Sequence, residues 1–528
     1  MKAKSGKVQQ DNEIKKLKRR NQRLRTKVCR LQKKLKNPSG KKTDNQKKRN
    51  LIKEISCYIK GPALEFVKSQ ILMHGRKKKG LRWTPANKAF ALSLFHQSPK
   101  TYKIMRKYFK LPTIKTLKKS VQCLAIAPGF HTYVFKCLTK KVSGMSQEGK
   151  LAVCGFDEMG IKEAVKYNSG KDEVEGFENL GELGTTRYVS NHACVFMVRG
   201  LVQNWKQAVG FFFSSGPVSN TKLKPLILSC LSKLESTGLD VKVLICDQGS
   251  NNRSAITSLG VTTDKPYFVH EGKKYYVMYD PPHLIKNIRN NLMKTGFIVD
   301  GETIEWKYIV QFYEMDSKQS IRMAPKITED HINVKPFKKM RVRLATQILS
   351  HSVAAGISAL CEMGYLDPNA KYTARFVECM DCLFNVFNSH SLSDANEYRS
   401  AVTSKSIHVK YLTESLEYLK TVKQLGSNDT LPCVEGWKLS INSLIGLWDD
   451  LQKAKEPVKF LLTSRMNQDF IENFFSVIRG KGGNRDNPNA IEFVPAYKAT
   501  CVDQLFVVPE GANCKDDMAS FLLKLEHL

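Results

Sequence analysis

Two apolar runs that each end in an aspartate limit what this chain can fold into. Leu151 to Asp157 reads LAVCGFD, and Val241 to Asp247 reads VKVLICD and leads into QGSNN. Weak alternation with high aliphatic and aromatic content is the pattern of strands covered on both faces. Buried strands that deliver carboxylates near their ends are the beginning of a metal site, and a third carboxylate is then expected from a helix. Asp469 and Glu472, in MNQDFIENFFSVIRG, are the candidates.

The surrounding segments set the fold class. Strands are expected at 151–158, 192–202, 208–214, 241–247 and 275–280, and helices at 219–236, 252–259 and from Pro281 onward, with a polar loop or extended hairpin over 166–184. The order β-β-β-α-β-α-β-α is that of a ribonuclease-H-like α/β fold, in which the first and fourth strands are neighbours and bring Asp157 and Asp247 together. From 295 to 465 the strand pattern stops. Met340 to Ile357, Thr373 to Val386 and Trp437 to Leu451 are apolar at helical spacing and predict a mostly helical insertion, which splits the α/β domain into 146–294 and 466–528.

Charge points to the partner. The formal net charge is +36, and the first 60 residues hold 22 Lys or Arg against four acids, so half of the total sits there. Such a field attracts polyanions. Double-stranded DNA is expected before a membrane, because no apolar stretch reads as long enough to span a bilayer. The KKTDNQKKR run at 41–49 reads as a solubilising segment or a nuclear import signal, and the nucleus is the expected location. The 14 cysteines have no framework spacing, as in a chain with reduced thiols. Cys379 and Cys382, with only His390 nearby, are expected to be interior thiols of a helix.

Residues 1–50 read as a basic, zipper-like coiled coil and linker. Ile14, Asn21, Val28 and Leu35 share one heptad position, and Leu17, Leu24 and Leu31 share the other. That pattern suits a parallel homodimer, with Asn21 fixing register. Asn37 to Gly40 end the helix, and a polar linker is expected to about residue 50. Residues 51–145 read as a helical domain with a helix-turn-helix: Thr84 and Pro85 start one helix, Ser98 and Pro99 break it, and a last helix carries Lys115, Lys118 and Lys119 toward DNA.

Three oxygen ligands on rigid elements suit Mg²⁺ or Mn²⁺. Two such ions about 4 Å apart activate a water or a 3′-hydroxyl and neutralise the leaving oxygen of a phosphodiester. Asp157 is expected to bridge them, with Asp247 on one and Glu472 on the other. Asp469, one helical turn from Glu472, is the alternative or a supporting residue, and Asp280 is a rival strand-end carboxylate. Glu158 is expected on the opposite face. His283 reads either as a phosphate contact or as part of a helix start. Lys286, Arg289, Arg253, Arg479 and Lys481 are further DNA-binding candidates, the last two in a basic Gly-rich stretch.

Three motifs together are recognisable: CDQGSNNRSA at 246–255, YDPPHLIKNIRNNL at 279–292 and NQDFIENFFSVIRGKGG at 467–483. They resemble the P-element-type transposases, including the THAP-domain transposases. The resemblance implies that Asp157, Asp247 and Glu472 are the catalytic triad with Asp469 nearby. It also implies that the helical insertion binds GTP through residues not assignable from sequence, and that a dimer or higher assembly cuts at terminal inverted repeats and joins the 3′ end to a target. The family's N-terminal zinc-coordinating domain is not expected here, since Cys29 and Cys57 cannot supply its ligands, and no closing C-terminal domain is expected. The leading expectation is therefore a DNA transposase, both nuclease and strand transferase. The rivals are a domesticated DNA-binding or chromatin protein without catalysis and a structure-specific nuclease of the same fold.

Overall fold

The computed structural model describes residues 20–29, 32, 39–77, 80–122, 126–170, 172–427, 429–481, 487–502 and 520–521. They form two compact units, Met1–Leu117 and Lys118–Leu528.

In the first unit residues 20–29 are helical, with Asn21, Leu24 and Val28 exposed. The zipper positions Ile14, Leu17, Leu31 and Leu35 lie outside the described residues. The expected linker is instead helical: α1 covers Ser39–Tyr58. No breaker follows Gly40, and Asp44 pairs with Lys48 one turn on at 3.0 Å. α2 (Gly61–Met73), α3 (Pro85–Gln97), α4 (Pro99–Tyr108) and α5 (Ile114–Gln122) follow. Thr84 caps α3 by accepting the Asn87 amide at 3.1 Å, and Ser98 caps α4 by accepting that of Thr101 at 3.2 Å. Phe66 meets Phe90 and Phe109 at ring distances of 5.6 and 5.3 Å, and Phe95 meets the fully buried Tyr102 at 5.6 Å. This aromatic core holds the short helices of the helix-turn-helix together.

The second unit is organised by a sheet. Its main strands are β1 (Leu151–Gly160), β2 (Phe177–Asn179), β3 (Thr185–Val189), β4 (His192–Gly200), β5 (Trp205–Ser214), β6 (Asp240–Cys246), β7 (Tyr267–His270) and β8 (Lys273–Tyr279), in the spatial order β7-β8-β6-β1-β4-β5-β2-β3, and the short segments Gly129–Phe130 and Ser520–Phe521 also pair with β5. β1 runs parallel to β6 and antiparallel to β4, and β8 runs parallel to β6. The first and fourth expected strands are thus neighbours. The segment 166–184 holds a hairpin, Lys166–Asn168 with Glu173–Glu175, and then β2, which joins the sheet edge. α6 (Thr132–Val142) precedes β1, α7 (Asn220–Glu235) follows β5, α8 (Ser250–Ser258) follows β6, and α9 (Pro281–Lys294) follows β8.

The insertion is mostly helical, as expected, and adds one small sheet. Phe297–Val299 pairs with Glu302–Ile304 and with Lys423–Gln424 in a three-stranded sheet. The hairpin turns on Asp300 and Gly301, both at positive φ (51° and 86°), the geometry that an Asp-Gly pair favours. Its helices are α10 (Trp306–Asp316), α11 (Val342–Ile348), α12 (His351–Glu362), α13 (Ala370–Val386), α14 (His408–Thr421) and α15 (Pro432–Gln452). Cys379 and Cys382 lie on α13, and Cys382 is buried. Residues 342–362 are apolar and long enough by composition to cross a membrane, contrary to expectation. They are broken at Leu349–Ser350 into α11 and α12, and Leu344, Ile348, Val353 and Ile357 are buried in the protein.

α15 lies along β8. Ser440 accepts the Tyr279 amide at 3.0 Å, and a Cβ at Gly446 would stand 2.8 Å from the Tyr276 ring. The chain then returns to the sheet through α16 (Asp469–Lys481) and α17 (Ala490–Val502). α17, not foreseen from the sequence, packs Tyr497 and Phe493 on Phe211 of β5, with ring distances of 4.7 and 5.2 Å.

Candidate active site

β1 and β6 pair in register as far as Gly155 and Ile245, so Asp157 and Asp247 leave the same end of neighbouring strands. The Asp280 amide extends the β8–β6 pairing by donating to the Cys246 carbonyl at 3.0 Å, which sets a third aspartate beside them. α16 completes the site because it reaches the sheet closely. A Cβ on Gly155 would lie 2.8 Å from Phe470 Cζ and 3.0 Å from both Ile471 Cδ1 and Ile245 Cγ2. The absence of a side chain there is what lets the first turn of α16, with Asp469 and Glu472, sit on β1.

One hydrogen-bond network ties these elements together. Asp280, 1 % exposed, is the N-cap of α9, and its Oδ2 accepts the His283 amide at 3.0 Å and His283 Nδ1–H at 2.6 Å. Its Oδ1 accepts the Gln468 amide at 2.7 Å, just before α16. Gln468 Nε2 in turn donates to the Phe156 carbonyl on β1 at 2.8 Å. His283 Nε2 faces Glu472 Oε1 at 3.9 Å.

The remaining carboxylates are less well supplied. Asp157 accepts the Glu158 amide at 2.8 Å with Oδ1. Asp247 accepts the Gly249 amide at 3.0 Å and the Asn252 side chain, both with Oδ1. Among the described residues, Asp157 Oδ2, Asp247 Oδ2 and both Glu472 oxygens accept no hydrogen bond. Burial pushes the Asp157 carboxyl well above the carboxylate range, the charges of Asp247 and Glu472 push it further, and His283 opposes them. Burial likewise raises Glu472, with His283 in opposition and Asp280 adding to the rise. Asp469, which accepts from Asn467 at 2.9 Å, is raised to about 8 by burial and by Asp280 and Glu472. Glu158 accepts the Val218 amide at 3.0 Å and is raised by burial to about 7. Burial lowers His283, but the hydrogen bond and charge of Asp280 outweigh it and lift the ring to about 9.

Crowded carboxylates that retain unpaired oxygens are a donor set for a hard divalent cation, which relieves their mutual repulsion as protonation would. Ligand atoms of Asp280, His283 and Glu472 also lie within 4.8 Å of one another. In that set, both Asp280 oxygens are already engaged by the chain. The structure thus carries a candidate metal site, acidic and bordered by a histidine, consistent with Mg²⁺ or Mn²⁺.

The basic candidates separate into exposed and buried. Lys115 and Lys119 are exposed on α5, and the Lys118 side chain lies outside the described set. Arg253, Arg479 and Lys481 are half-buried, and Arg479 acts on Glu472 electrostatically. Arg289 is corrected as a DNA contact. It is fully buried, donating to the Lys339 carbonyl at 2.7 Å and to Asn290 at 2.8 Å, and burial lowers its pKa to about 10. It cannot meet a phosphate without leaving that packing. Lys286 is also buried, and its charge falls on His283 and Glu472, so it faces the site interior in place of the open channel expected for it. Sequence reasoning passed over Gln468 altogether. No local pattern marks it, because both its partners lie far away in the chain.

Four family descriptions match along the chain. Residues 16–119 match "Transposable element P transposase-like, HTH domain", and 126–260 match "TNP-like, RNase H N-terminal domain". Residues 282–400 match "TNP-like, GTP-binding insertion domain", and 464–498 match "TNP-like, RNase H C-terminal domain". Asp157 and Asp247 fall in the first catalytic half and Glu472 in the second. The chain is 32 % identical to the Transposable element P transposase of Drosophila melanogaster over 412 residues, covering 76 % of this chain and 52 % of that protein. It is 24 % identical to the DNA transposase THAP9 of Homo sapiens over 434 residues, covering 78 % and 47 %. It therefore spans about half the length of the curated relatives it matches. The solved Drosophila P element transposase strand transfer complex superposes with a TM-score of 0.74 at 29 % identity, covering 87 % of this chain and 99 % of that one. With the helix-turn-helix unit, the split ribonuclease-H-like domain and the insertion present in the same order, the chain belongs to the P-element-type transposase family.

Proposed function

We propose that this chain is a metal-dependent DNA transposase that hydrolyses phosphodiesters at transposon terminal inverted repeats and transfers the 3′ end to a target. The observation that carries the reading is the convergence of Asp157, Asp247 and Glu472 from both halves of the split domain, with oxygens that accept no hydrogen bond among the described residues. These three residues hold the metal, and Asp469 and Asp280 support them. When bound, Mg²⁺ or Mn²⁺ supplies Lewis acidity for the attacking oxygen and neutralises charge on the leaving oxygen. The chain's own part is to fix the three carboxylates on two strands and a helix, so that little reorganisation accompanies reaction. Lys115, Lys118 and Lys119 contribute DNA affinity outside the site, with further basic contacts from Arg253, Arg479 and Lys481.

GTP is the second ligand in this reading, supported by the description of the family matched at 282–400. A cavity of about 790 Å³ between the insertion and the catalytic halves, with Lys326, Arg343 and Arg399 in its wall beside Pro282 and Asp469, has the volume for a nucleoside triphosphate. The assembly is a homodimer or higher oligomer acting on nuclear DNA, a reading supported by the heptad pattern of Ile14, Leu17, Asn21, Leu24, Val28, Leu31 and Leu35 in the sequence. The test is cleavage and strand transfer on inverted-repeat and scrambled duplexes with Mg²⁺ or Mn²⁺, with and without GTP. Asp157→Asn, Asp247→Asn and Glu472→Gln should each abolish cutting while DNA binding persists. DNA binding by the native chain with no metal-dependent cutting would replace this reading with that of a domesticated DNA-binding protein.

A further inference from the structure

Asp280 and His283 stand against the carboxylates, and their hydrogen bonds show what they can and cannot do. Asp280 accepts three donors, from the Gln468 amide, the His283 amide and the His283 ring, and is 1 % exposed. A metal bound through either oxygen would compete with the bonds that join the start of α9 to the start of α16. The ring of His283 is held through Nδ1, which leaves Nε2 as its only available nitrogen, and that nitrogen faces Glu472 at 3.9 Å. Glu472 is the least constrained of the acidic groups, a long side chain in the first turn of α16 with no hydrogen bond among the described residues. Immobilising such a side chain costs about 1–2 kcal/mol in lost rotamer freedom.

We propose that Asp280 and His283 form one positioning unit for Glu472, in which Asp280 locks the imidazole and the α16 N-terminus together and His283 Nε2–H orients the Glu472 carboxylate toward Asp157 and Asp247. Neither residue is itself a metal ligand. The inference rests on the reading of Asp157, Asp247 and Glu472 as the metal-holding set. Nδ1 is engaged by Asp280 at 2.6 Å, and Nε2 stands at ion-pair distance, 3.9 Å, from Glu472 Oε1. Groups placed behind metal ligands in this manner typically alter metal affinity 10–100-fold when removed.

The experiment measures Mn²⁺ binding to the full chain by electron paramagnetic resonance, with DNA cleavage in parallel and circular dichroism to confirm folding. His283→Asn keeps an amide donor within reach of Asp280 but offers nothing to Glu472, and should weaken Mn²⁺ binding by about 10–100-fold without changing stoichiometry. His283→Gln carries its amide out to the Nε2 position and should recover most of that affinity. Asp280→Asn, which loses an acceptor for the ring, should resemble His283→Asn. Equal loss of a bound ion in both His283 variants and in Glu472→Gln would make His283 a ligand and overturn the proposal. Unchanged affinity in all variants, or no Mn²⁺ binding by the native chain, would overturn it as well. Native binding with this variant pattern but no cutting of DNA would leave the positioning unit standing and remove the transposase reading.

Discussion

Gly155→Ala is the sharpest test of how the split domain closes. The added methyl would stand 2.8 Å from Phe470 Cζ and 3.0 Å from Ile471 Cδ1 and Ile245 Cγ2, against ordinary contacts of about 3.4–4 Å. All three neighbours are fully buried, and the Arg199 guanidinium lies 5.2 Å from the Phe470 ring centre, so none has open space to move into. Relief therefore requires α16 to lift from β1 by several tenths of an ångström. Overpacking of this sort costs about 1–3 kcal/mol. The displacement also strains the Gln468–Phe156 hydrogen bond and carries Glu472 away from Asp157. Denaturant unfolding should show a loss of about 2 kcal/mol, and Mn²⁺ binding and DNA cleavage should fall with it. Phe470→Leu removes the nearest ring atoms, so the double variant should be more stable than the two single losses summed would allow. A Gly155→Ala chain with native stability and native metal affinity would refute the claim that close approach at this glycine sets the site.

Other perturbations separate the remaining claims. Arg289→Met should destabilise the chain by about 1.5–3 kcal/mol through loss of charged hydrogen bonds to Lys339 and Asn290, while the salt dependence of DNA binding stays unchanged; a reduced salt slope would restore Arg289 as a phosphate contact. The Asp469 carboxyl, raised to about 8, binds a proton in the folded chain that the unfolded chain releases near pH 4. Its contribution therefore favours folding at low pH and is lost as pH rises from about 4 to 8. In metal-free protein Asp469→Asn should accordingly be more stable than native by an amount that grows between pH 5 and pH 8, read by urea unfolding at each pH; a constant difference would contradict the assignment. Asn21→Leu should change the sedimentation mass or thermal stability of the oligomer, and no change in either would count against a zipper at the N-terminus.

Sequence pattern alone carried the identity and order of the core strands. Each is a short run of buried apolar residues, and burial on both faces leaves a composition that does not depend on distant partners. The same holds for the caps at Thr84 and Ser98 and for the acid-bearing helix, since capping and helical spacing are local. Local signals that went unread were the Asp300-Gly301 turn, which marks the small sheet in the insertion, and the breaker-free run after Gly40. The roles of Asp280 and Arg289 were not legible in this way. A strand-end aspartate before two prolines and an arginine on a helix look the same whether they meet solvent, metal or protein. Only the folded chain decides, because the groups that claim them, Gln468 and the Lys339 carbonyl, lie 188 and 50 residues away. The sequence determined which acids and strands this protein has. The tertiary structure decided which acids stay free for a cation, because folding crowds Asp157, Asp247 and Glu472 together while the distant Gln468 amide takes the Asp280 oxygen that local donors leave over.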